Sequence, residues 1–396
     1  MALALLLALA PAAADFDNAM GHLKSGKYLE AAGEFQALVD EHPDYADGYH
    51  LLGVCLLKAE KFKEAEKNLL KAIELDGDKF DYHYNLANAY RAQGRNDKVV
   101  QVLNSAEGLA ADKQKYLVYQ VRGNALAAQK KWAEAIGDLE KAVAAKPDAN
   151  TQAQLGKAYF SEGDSARAVT ALRKAIALQK SPSTHDLLVE AMIDVAAKTP
   201  GDAAKKAKYA EAMAEAEKFQ QAHPTAEQAK YLIGRTALGA GQFDKAIAAF
   251  QSVLAARPAH CNAMTNLGKT YMAKQDWGKA LSTFEGATKC DAKLGLAWES
   301  MGFVLQKTAS GSKDYAIQQQ NYARAISAYE KAQAIKPSAG LTDAIASCKQ
   351  NLAISSENQT MSQTEAQQAA AALAEEARIA EEERKRKEWE AKQKDN

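Results

Sequence analysis

Between residues 15 and 340 small and large apolar residues return at a fixed spacing, with polar and charged positions between them. Residues 46–79 (ADGYHLLGVCLLKAEKFKEAEKNLLKAIELDGDK) and 227–260 (EQAKYLIGRTALGAGQFDKAIAAFQSVLAARPAH) each span 34 residues and align without a gap. A small residue holds position 8 of the unit, as Gly53, Ala87, Gly123, Gly156, Gly234, Gly268 and Gly302. Position 20 is Ala31, Ala65, Val99, Ala135, Ala168, Ala246, Ala280 and Ala325. Position 24 is large and apolar: Phe35, Leu69, Leu103, Leu139, Leu172, Phe250, Phe284 and Tyr329. Pro43, Pro147, Pro258 and Pro337 close four of the units at position 32. Positions 4, 7, 8 and 11 share one face of a helix, and 20, 24 and 27 share one face of a second. Each unit is therefore predicted to be a helical hairpin, with proline ending its second helix. The small residues at 8 and 20 are expected to face one another, leaving 24 and 27 for the next hairpin to stack on. A single hairpin cannot bury its apolar face, so stacking has to build the core.

The 34-residue period, with Gly at 8, Tyr at 11 (Tyr90, Tyr159, Tyr271), Ala at 20 and Pro at 32, resembles the tetratricopeptide repeat family. The resemblance implies an all-α fold: a right-handed α-solenoid of about nine helical hairpins whose first helices line a concave groove. The units run over 12–45, 46–79, 80–115, 116–148, 149–182, 183–226, 227–260, 261–294 and 295–338. Leu341 to Leu352 is expected to form a closing helix, which terminal repeats need for solubility. The sixth and ninth units each span 44 residues, with the additions around Lys198–Gly201 and Lys307–Gly311, at the hairpin turn. Leu155-Gly156-Lys157-Ala158-Tyr159 echoes Leu267-Gly268-Lys269-Thr270-Tyr271, and Tyr209-Ala210-Glu211-Ala212 echoes Tyr322-Ala323-Arg324-Ala325. Units four to six and seven to nine therefore read as duplicates of one three-hairpin block.

The ends of the chain read differently. Residues 1–14, MALALLLALAPAAA, suit a secretory signal peptide, with Ala12 and Ala14 at the cleavage-site positions. The alternative is an apolar N-terminal helix that caps the array, since the run is too short to cross a bilayer. The repeat array is assigned to 15–353, a Ser/Gln/Asn-rich linker to 354–365 and a charged helical tail to 366–396. Glu381/Lys385, Glu382/Arg386 and Glu383/Lys387 are favourable i, i+4 pairs on that tail. Its apolar stripe is thin, which favours a solvated single helix over a coiled coil, with self-association through it as the alternative.

Composition narrows the function. Fifty Lys and Arg balance fifty Asp and Glu, and that balance disfavours a dedicated nucleic-acid or membrane-surface binder. The mature chain is expected to hold no integral membrane segment. No HExxH, CxxC, Walker loop or nucleophile elbow is present, and glycines fall at repeat positions instead of in phosphate-binding clusters. The expectation is accordingly no enzyme activity, no cofactor and no metal, with the seven His in structural roles. Cys261 and Cys290 stand at the same end of their two antiparallel helices and are candidates for a disulfide in an oxidising compartment; the alternative is two unpaired thiols. Cys55 and Cys348 read as buried thiols.

What remains is a surface. In the family, ligand-facing side chains come from first-helix positions 2, 5, 6, 9, 12 and 13. Here that implies Tyr84, Asn85, Asn88, Arg91, Asn124, Lys157, Phe160, Tyr231, Arg235, Asn266, Lys269 and Phe303 as a peptide-binding groove. Amides, cations and aromatic rings together suit an extended peptide. A carboxylate clamp of the chaperone type is not expected, because Leu296 and Ser300 stand where it needs basic residues. The chain thus reads as an exported, periplasmic or extracellular scaffold for a protein or peptide partner. Two alternatives stand beside this: a structural subunit that oligomerises through its elongated hairpins or tail, and a cytoplasmic location if the N-terminal run is not a signal.

Overall fold

The computed structural model describes residues 13–394. The leader expected over 1–14 lies outside the described residues except for Ala13 and Ala14, which begin the first helix. The described residues form 19 α-helices, one short 3₁₀ helix at Glu107–Leu109 and no strand. They are α1 (Ala13–Lys24), α2 (Tyr28–Glu41), α3 (Ala46–Lys58), α4 (Phe62–Leu75), α5 (Phe80–Ala92), α6 (Asn96–Ala106), α7 (Lys115–Ala128), α8 (Trp132–Ala145), α9 (Ala149–Glu162) and α10 (Ser165–Leu178). After these come α11 (Pro182–Lys198), α12 (Asp202–Ala222), α13 (Glu227–Gly239), α14 (Phe243–Ala256), α15 (Cys261–Ala273), α16 (Trp277–Cys290), α17 (Gly295–Gly311), α18 (Tyr315–Ile335) and α19 (Ala339–Lys394). Consecutive pairs from α1 to α18 are the nine hairpins, and α19 closes the last. Two compact units result, one up to Pro224 and one from Thr225. Within each unit successive hairpins stack in chain order.

The hairpin geometry follows from three kinds of position. At the turn the chain enters the left-handed region, through Gly26, Gly94, Gly163 and Gly241 in four hairpins and through Glu60, Lys130 and Gln275 in three others. Gly163, at φ +97°, ends α9, and Asp164 then caps α10 by accepting from the Arg167 N–H at 3.0 Å. At position 8 the absent side chain makes room for the large residue at position 24 of the same hairpin. A Cβ on Gly156 would lie 2.5 Å from Leu172 Cγ, and one on Gly268 would lie 2.7 Å from the Phe284 ring. The small residue at 8 therefore meets position 24 first, with the Ala168 carbonyl at 20 farther off at 3.4 Å in the case of Gly156. Position 8 thus faces 20, as read from the sequence, but position 24, expected to be left for the next hairpin, also fills the cleft inside its own hairpin. Leu69, Leu103, Leu139, Leu172, Phe250 and Phe284 are accordingly fully buried.

The two elongated hairpins lengthen on both sides of the turn. Both α11 and α17 run for 17 residues and both α12 and α18 for 21, against 13 or 14 in most other hairpin helices. The segment 354–365, expected as a linker, is instead helical and lies within the 56 residues of α19. Its polar side chains find partners that a linker would not supply. Ser355 is buried and its hydroxyl donates to the Tyr315 carbonyl at 3.4 Å, while the Gln319 side chain on α18 donates to Gln359 Oε1 at 2.7 Å. Ser356, Thr360 and Thr364 donate to carbonyls one turn back, at 3.0, 3.0 and 2.9 Å, which satisfies their hydroxyls inside the helix.

Candidate functional site

All twelve groove residues lie on first helices of their hairpins, and they fall into two sets, one in each unit. In the first unit α5 carries Tyr84, Asn85, Asn88 and Arg91, α7 carries Asn124, and α9 carries Lys157 and Phe160. Tyr84 stacks on Phe80 with ring centroids 5.7 Å apart and packs on the core, so it is only part surface. Asn85 donates to the Asp81 carbonyl at 2.9 Å and lies 2.9 Å from His50 Nε2; Asn88 donates to the Tyr84 carbonyl at 3.0 Å. Both amides thus commit N–H groups to neighbours and keep their carbonyl oxygens as acceptors. Arg91 and Lys157 are exposed, whereas Phe160 is half-buried against the core of α8–α12.

Asn124 and Lys157 border the same space. They line one recess of about 230 Å³ with Gln154, Ala127, Ala128, Ala158 and Trp132. Asn124 Oδ1 is buried at its edge with no hydrogen-bond partner among the described residues. An amide held there without a partner costs free energy, of order 1–3 kcal/mol, whichever way its oxygen and nitrogen are turned. The oxygen is closed off from solvent as placed, so a peptide backbone, with its N–H and C=O, supplies a partner once the Asn124 side chain turns toward the recess.

In the second unit α13 carries Tyr231 and Arg235, α15 carries Asn266 and Lys269, and α17 carries Phe303. Asn266 donates to the Tyr231 hydroxyl at 3.0 Å and to the Asn262 carbonyl at 2.9 Å. The Tyr231 ring packs on His260 at 4.9 Å between centroids, and the Arg235 guanidinium lies 5.7 Å from its centre. Burial, and then the charge of Arg235, hold the Lys269 ammonium below its ordinary value, with Glu299 opposing them. Phe303 is 38% exposed with the Lys307 ammonium 5.6 Å from its ring centre. Tyr231, Arg235, Asn266 and Lys269 therefore form one cluster of ring, amide and cation, with Phe303 on the next first helix. Leu296 is exposed and Ser300 buried, so the basic pair of a carboxylate clamp is missing here.

Sequence reading missed several members. His50, Gln154 and Glu299 occupy the same ligand-facing positions, 5 or 6, that selected the others, so the rule would have found them. Trp132, at the start of α8, carried no such signal. Elsewhere, a larger space of about 640 Å³ opens between the α9–α10 turn and the end of α11. Two of its charged residues are already paired: Lys198 reaches Asp194 at 2.6 Å, and Asp164 reaches Arg167 at 2.5 Å.

Cys261, the first residue of α15, and Cys290, the last of α16, form a disulfide with their Cα atoms 5.6 Å apart. Cys55 and Cys348 are free and buried, and burial pushes both thiols up to about 11, away from thiolate chemistry. Among the described residues no group of three His, Cys, Asp or Glu side chains is placed to hold a metal ion. No helix among them is long and apolar enough to cross a membrane.

Family models described as tetratricopeptide repeat match residues 16–76 and 231–294, and two further models of the same description match 68–101 and 149–182. The chain is similar to a tetratricopeptide repeat protein from Parabacteroides merdae, with a TM-score of 0.51 and 12% identity over 70% of this chain and 98% of that one. It is similar also to the C-terminal part of a TPR repeat-containing protein from Cytophaga hutchinsonii, with a TM-score of 0.52 and 19% identity over 64% and 99%. These likenesses concern the fold. In sequence it is 25% identical over 275 residues to Superkiller complex protein 3 of Mus musculus, and the match covers 67% of this chain but only 15% of that protein.

Proposed function

Because the chain is built of tetratricopeptide repeats, a fold that generally serves as a protein-interaction scaffold, we propose that it is a non-enzymatic scaffold holding an extended partner segment on its first-helix faces. The observation that carries this reading is the recess between α7 and α9, where Asn124 Oδ1 is buried without a partner among the described residues, beside Lys157. An extended peptide crossing it completes the amide's hydrogen bonding once the Asn124 side chain turns toward the recess, and leaves the lysine for a carboxylate or carbonyl of the same segment. The cluster of Tyr231, Arg235, Asn266 and Lys269, with Phe303 on the next first helix, offers the same chemistry in the second unit. The Cys261–Cys290 disulfide supports placing the working protein in an oxidising compartment, in line with export.

Selecting peptides from a random display library on the full chain, then measuring their affinity for the wild type and for Asn124→Ala/Lys157→Ala, tests the groove. Losing the two contacts is expected to weaken binding by about 1–3 kcal/mol, roughly five- to a hundred-fold, at unchanged helicity. Selected peptides that bind both proteins equally refute the assignment to this recess. Trapping thiols by alkylation in fractionated cells tests the compartment: two reactive thiols per unfolded chain are expected, and four would contradict it.

A further inference from the structure

Asn85 and Asn266 stand at the same position of their repeats, and each amide reaches the same two places. Asn85 Nδ2 donates to the Asp81 carbonyl, one turn back, at 2.9 Å and lies 2.9 Å from His50 Nε2 on the first helix of the preceding hairpin. Asn266 Nδ2 donates to the Asn262 carbonyl at 2.9 Å and to the Tyr231 hydroxyl, again on the preceding first helix, at 3.0 Å. In both cases the second partner stands 35 residues earlier in the chain. The two pairs differ in what that partner is. A phenol hydroxyl both donates and accepts, whereas an imidazole nitrogen accepts only while it carries no proton.

The Asp81 carbonyl fixes which way the Asn85 amide is turned. A carbonyl only accepts, so it takes the Nδ2 side, and the second Nδ2 hydrogen then points at His50. His50 Nε2 is therefore the nitrogen without a proton, and the neutral ring carries its proton on Nδ1. Asn85 Oδ1 is left as an acceptor with no partner among the described residues. Protonating His50 sets an N–H against an N–H. Their bond then survives only if the Asn85 amide turns over, which puts its oxygen against the Asp81 carbonyl and its nitrogen where Oδ1 had been.

Both carboxylates that act on the ring are already hydrogen-bonded. The His50 ring packs on Tyr82, with centroids 4.6 Å apart, and the Tyr82 hydroxyl donates to Asp47, which Lys79 also reaches at 3.0 Å. Asp81 accepts from the Gln114 side chain at 3.2 Å. Burial holds the imidazole below its ordinary value, with Asp81 and Asp47 opposing and Lys79 assisting. We propose that His50 is a positioning residue: it keeps Asn85 Oδ1 available as an acceptor for a backbone N–H of the partner segment, and protonation of His50 withdraws that acceptor and loosens the segment. The inference rests on the reading that the first-helix faces hold an extended segment, and it adds to the first unit a pH dependence that the Tyr231–Asn266 pair does not share. Histidine is the side chain whose ordinary charge change falls between pH 5 and 8.

Peptides selected on the full chain, free of His, Asp and Glu and blocked at both ends, are titrated onto the wild type, Asn85→Ala and His50→Gln between pH 8 and pH 5. Asn85→Ala is expected to weaken one set of them roughly two- to ten-fold at pH 8 with unchanged helicity, the worth of one hydrogen bond. For that set, wild-type affinity is expected to fall by a similar factor as the pH drops below about 6.5, while carboxylates, ordinarily near about 4, stay ionised. His50→Gln, whose amide oxygen accepts from Asn85 at every pH, is expected to bind as the wild type does at pH 8 and to lose the fall. Nitrogen-15 spectra of the His50 ring in the full chain without peptide are expected to show the proton on Nδ1 at pH 8. Binders that all ignore Asn85→Ala, a fall that His50→Gln retains, no fall at all, or a neutral ring protonated on Nε2 each overturn the inference and leave the first-helix reading standing. A selection that yields no binder overturns both.

Discussion

Replacing Asp138 by alanine is expected to be among the most destabilising single changes in the first unit. Position 7 of the hairpin is apolar in seven of the other eight units, as Leu52, Leu86, Leu155, Val189, Ile233, Leu267 and Met301, but in the fourth it is Arg122. That guanidinium is only 8% exposed, and Asp138, across the hairpin on α8, is 6% exposed. The two form a bidentate pair at 2.6 and 2.9 Å, and the remaining Arg122 nitrogen donates to Asn104 at 2.9 Å and to Glu107 at 2.7 Å. Removing one partner of a buried pair strands the other, at a cost of about 3–5 kcal/mol. Glu107 lies at the edge and cannot replace two bonds to a buried carboxylate, so the figure is expected to hold. Arg122→Leu/Asp138→Ala returns the hairpin to the apolar pattern of its neighbours, and exchanging a buried pair for apolar residues is commonly neutral or stabilising by about 1–4 kcal/mol. The double variant is therefore expected to recover most or all of the loss. Urea unfolding of the full chain, with hydrogen exchange of α7 and α8 as the local readout, measures both. A single variant within about 1 kcal/mol of wild type, or a double variant as unstable as the single one, refutes the reasoning.

Glu60 occupies the left-handed turn position at φ 61°, so Glu60→Gly is expected to stabilise its hairpin by about 1 kcal/mol, read as a raised urea midpoint. Gly268→Ala drives a methyl group into the Phe284 ring and is expected to cost about 1–3 kcal/mol by the same measurement. The disulfide spans a sequence separation of 29, so its reduction is expected to cost the second unit about 3–4 kcal/mol, and Cys290→Ser to behave alike in oxidising and reducing buffer. Hydrogen bonding from Arg122 holds the Glu107 carboxyl below its ordinary range. Its contribution is therefore complete above the unfolded value of about 4.3 and is lost as the pH falls below that value through the folded one. Acid titration of Glu107→Gln is expected to lack that part of the loss.

The period of small and large residues made the hairpins legible, because one helical pair per repeat leaves its mark at positions 8, 20 and 24. It also located one elongated turn, at Thr199–Gly201; the other falls at Ser312–Asp314, and Lys307–Gly311, expected at that turn, is the last stretch of α17 instead, because the added residues lengthen the first helix. The segment 354–365 was not legible, because serine and glutamine that bond across to α18 look the same in sequence as serine and glutamine that bond to water. The buried Arg122 was hidden for a related reason: its partner lies in another helix, 16 residues on, and no local pattern announces the pair. For the surface, position rules placed every named residue on a first helix. Which of them come together, Asn124 with Lys157 around one recess and Tyr231 with Asn266 in a hydrogen bond, depends on the stacking of successive hairpins and emerges only in three dimensions.

The account stands or falls on which surface holds the partner. A photo-cross-linking amino acid placed in the full chain at Lys157 on α9, and separately at the exposed Lys174 on α10, reports this directly in cells. Adducts to a partner protein from position 157, reduced when Asn124 is also changed to alanine and absent from position 174, are the predicted result. Adducts from 174 with none from 157 would contradict capture on the first-helix face.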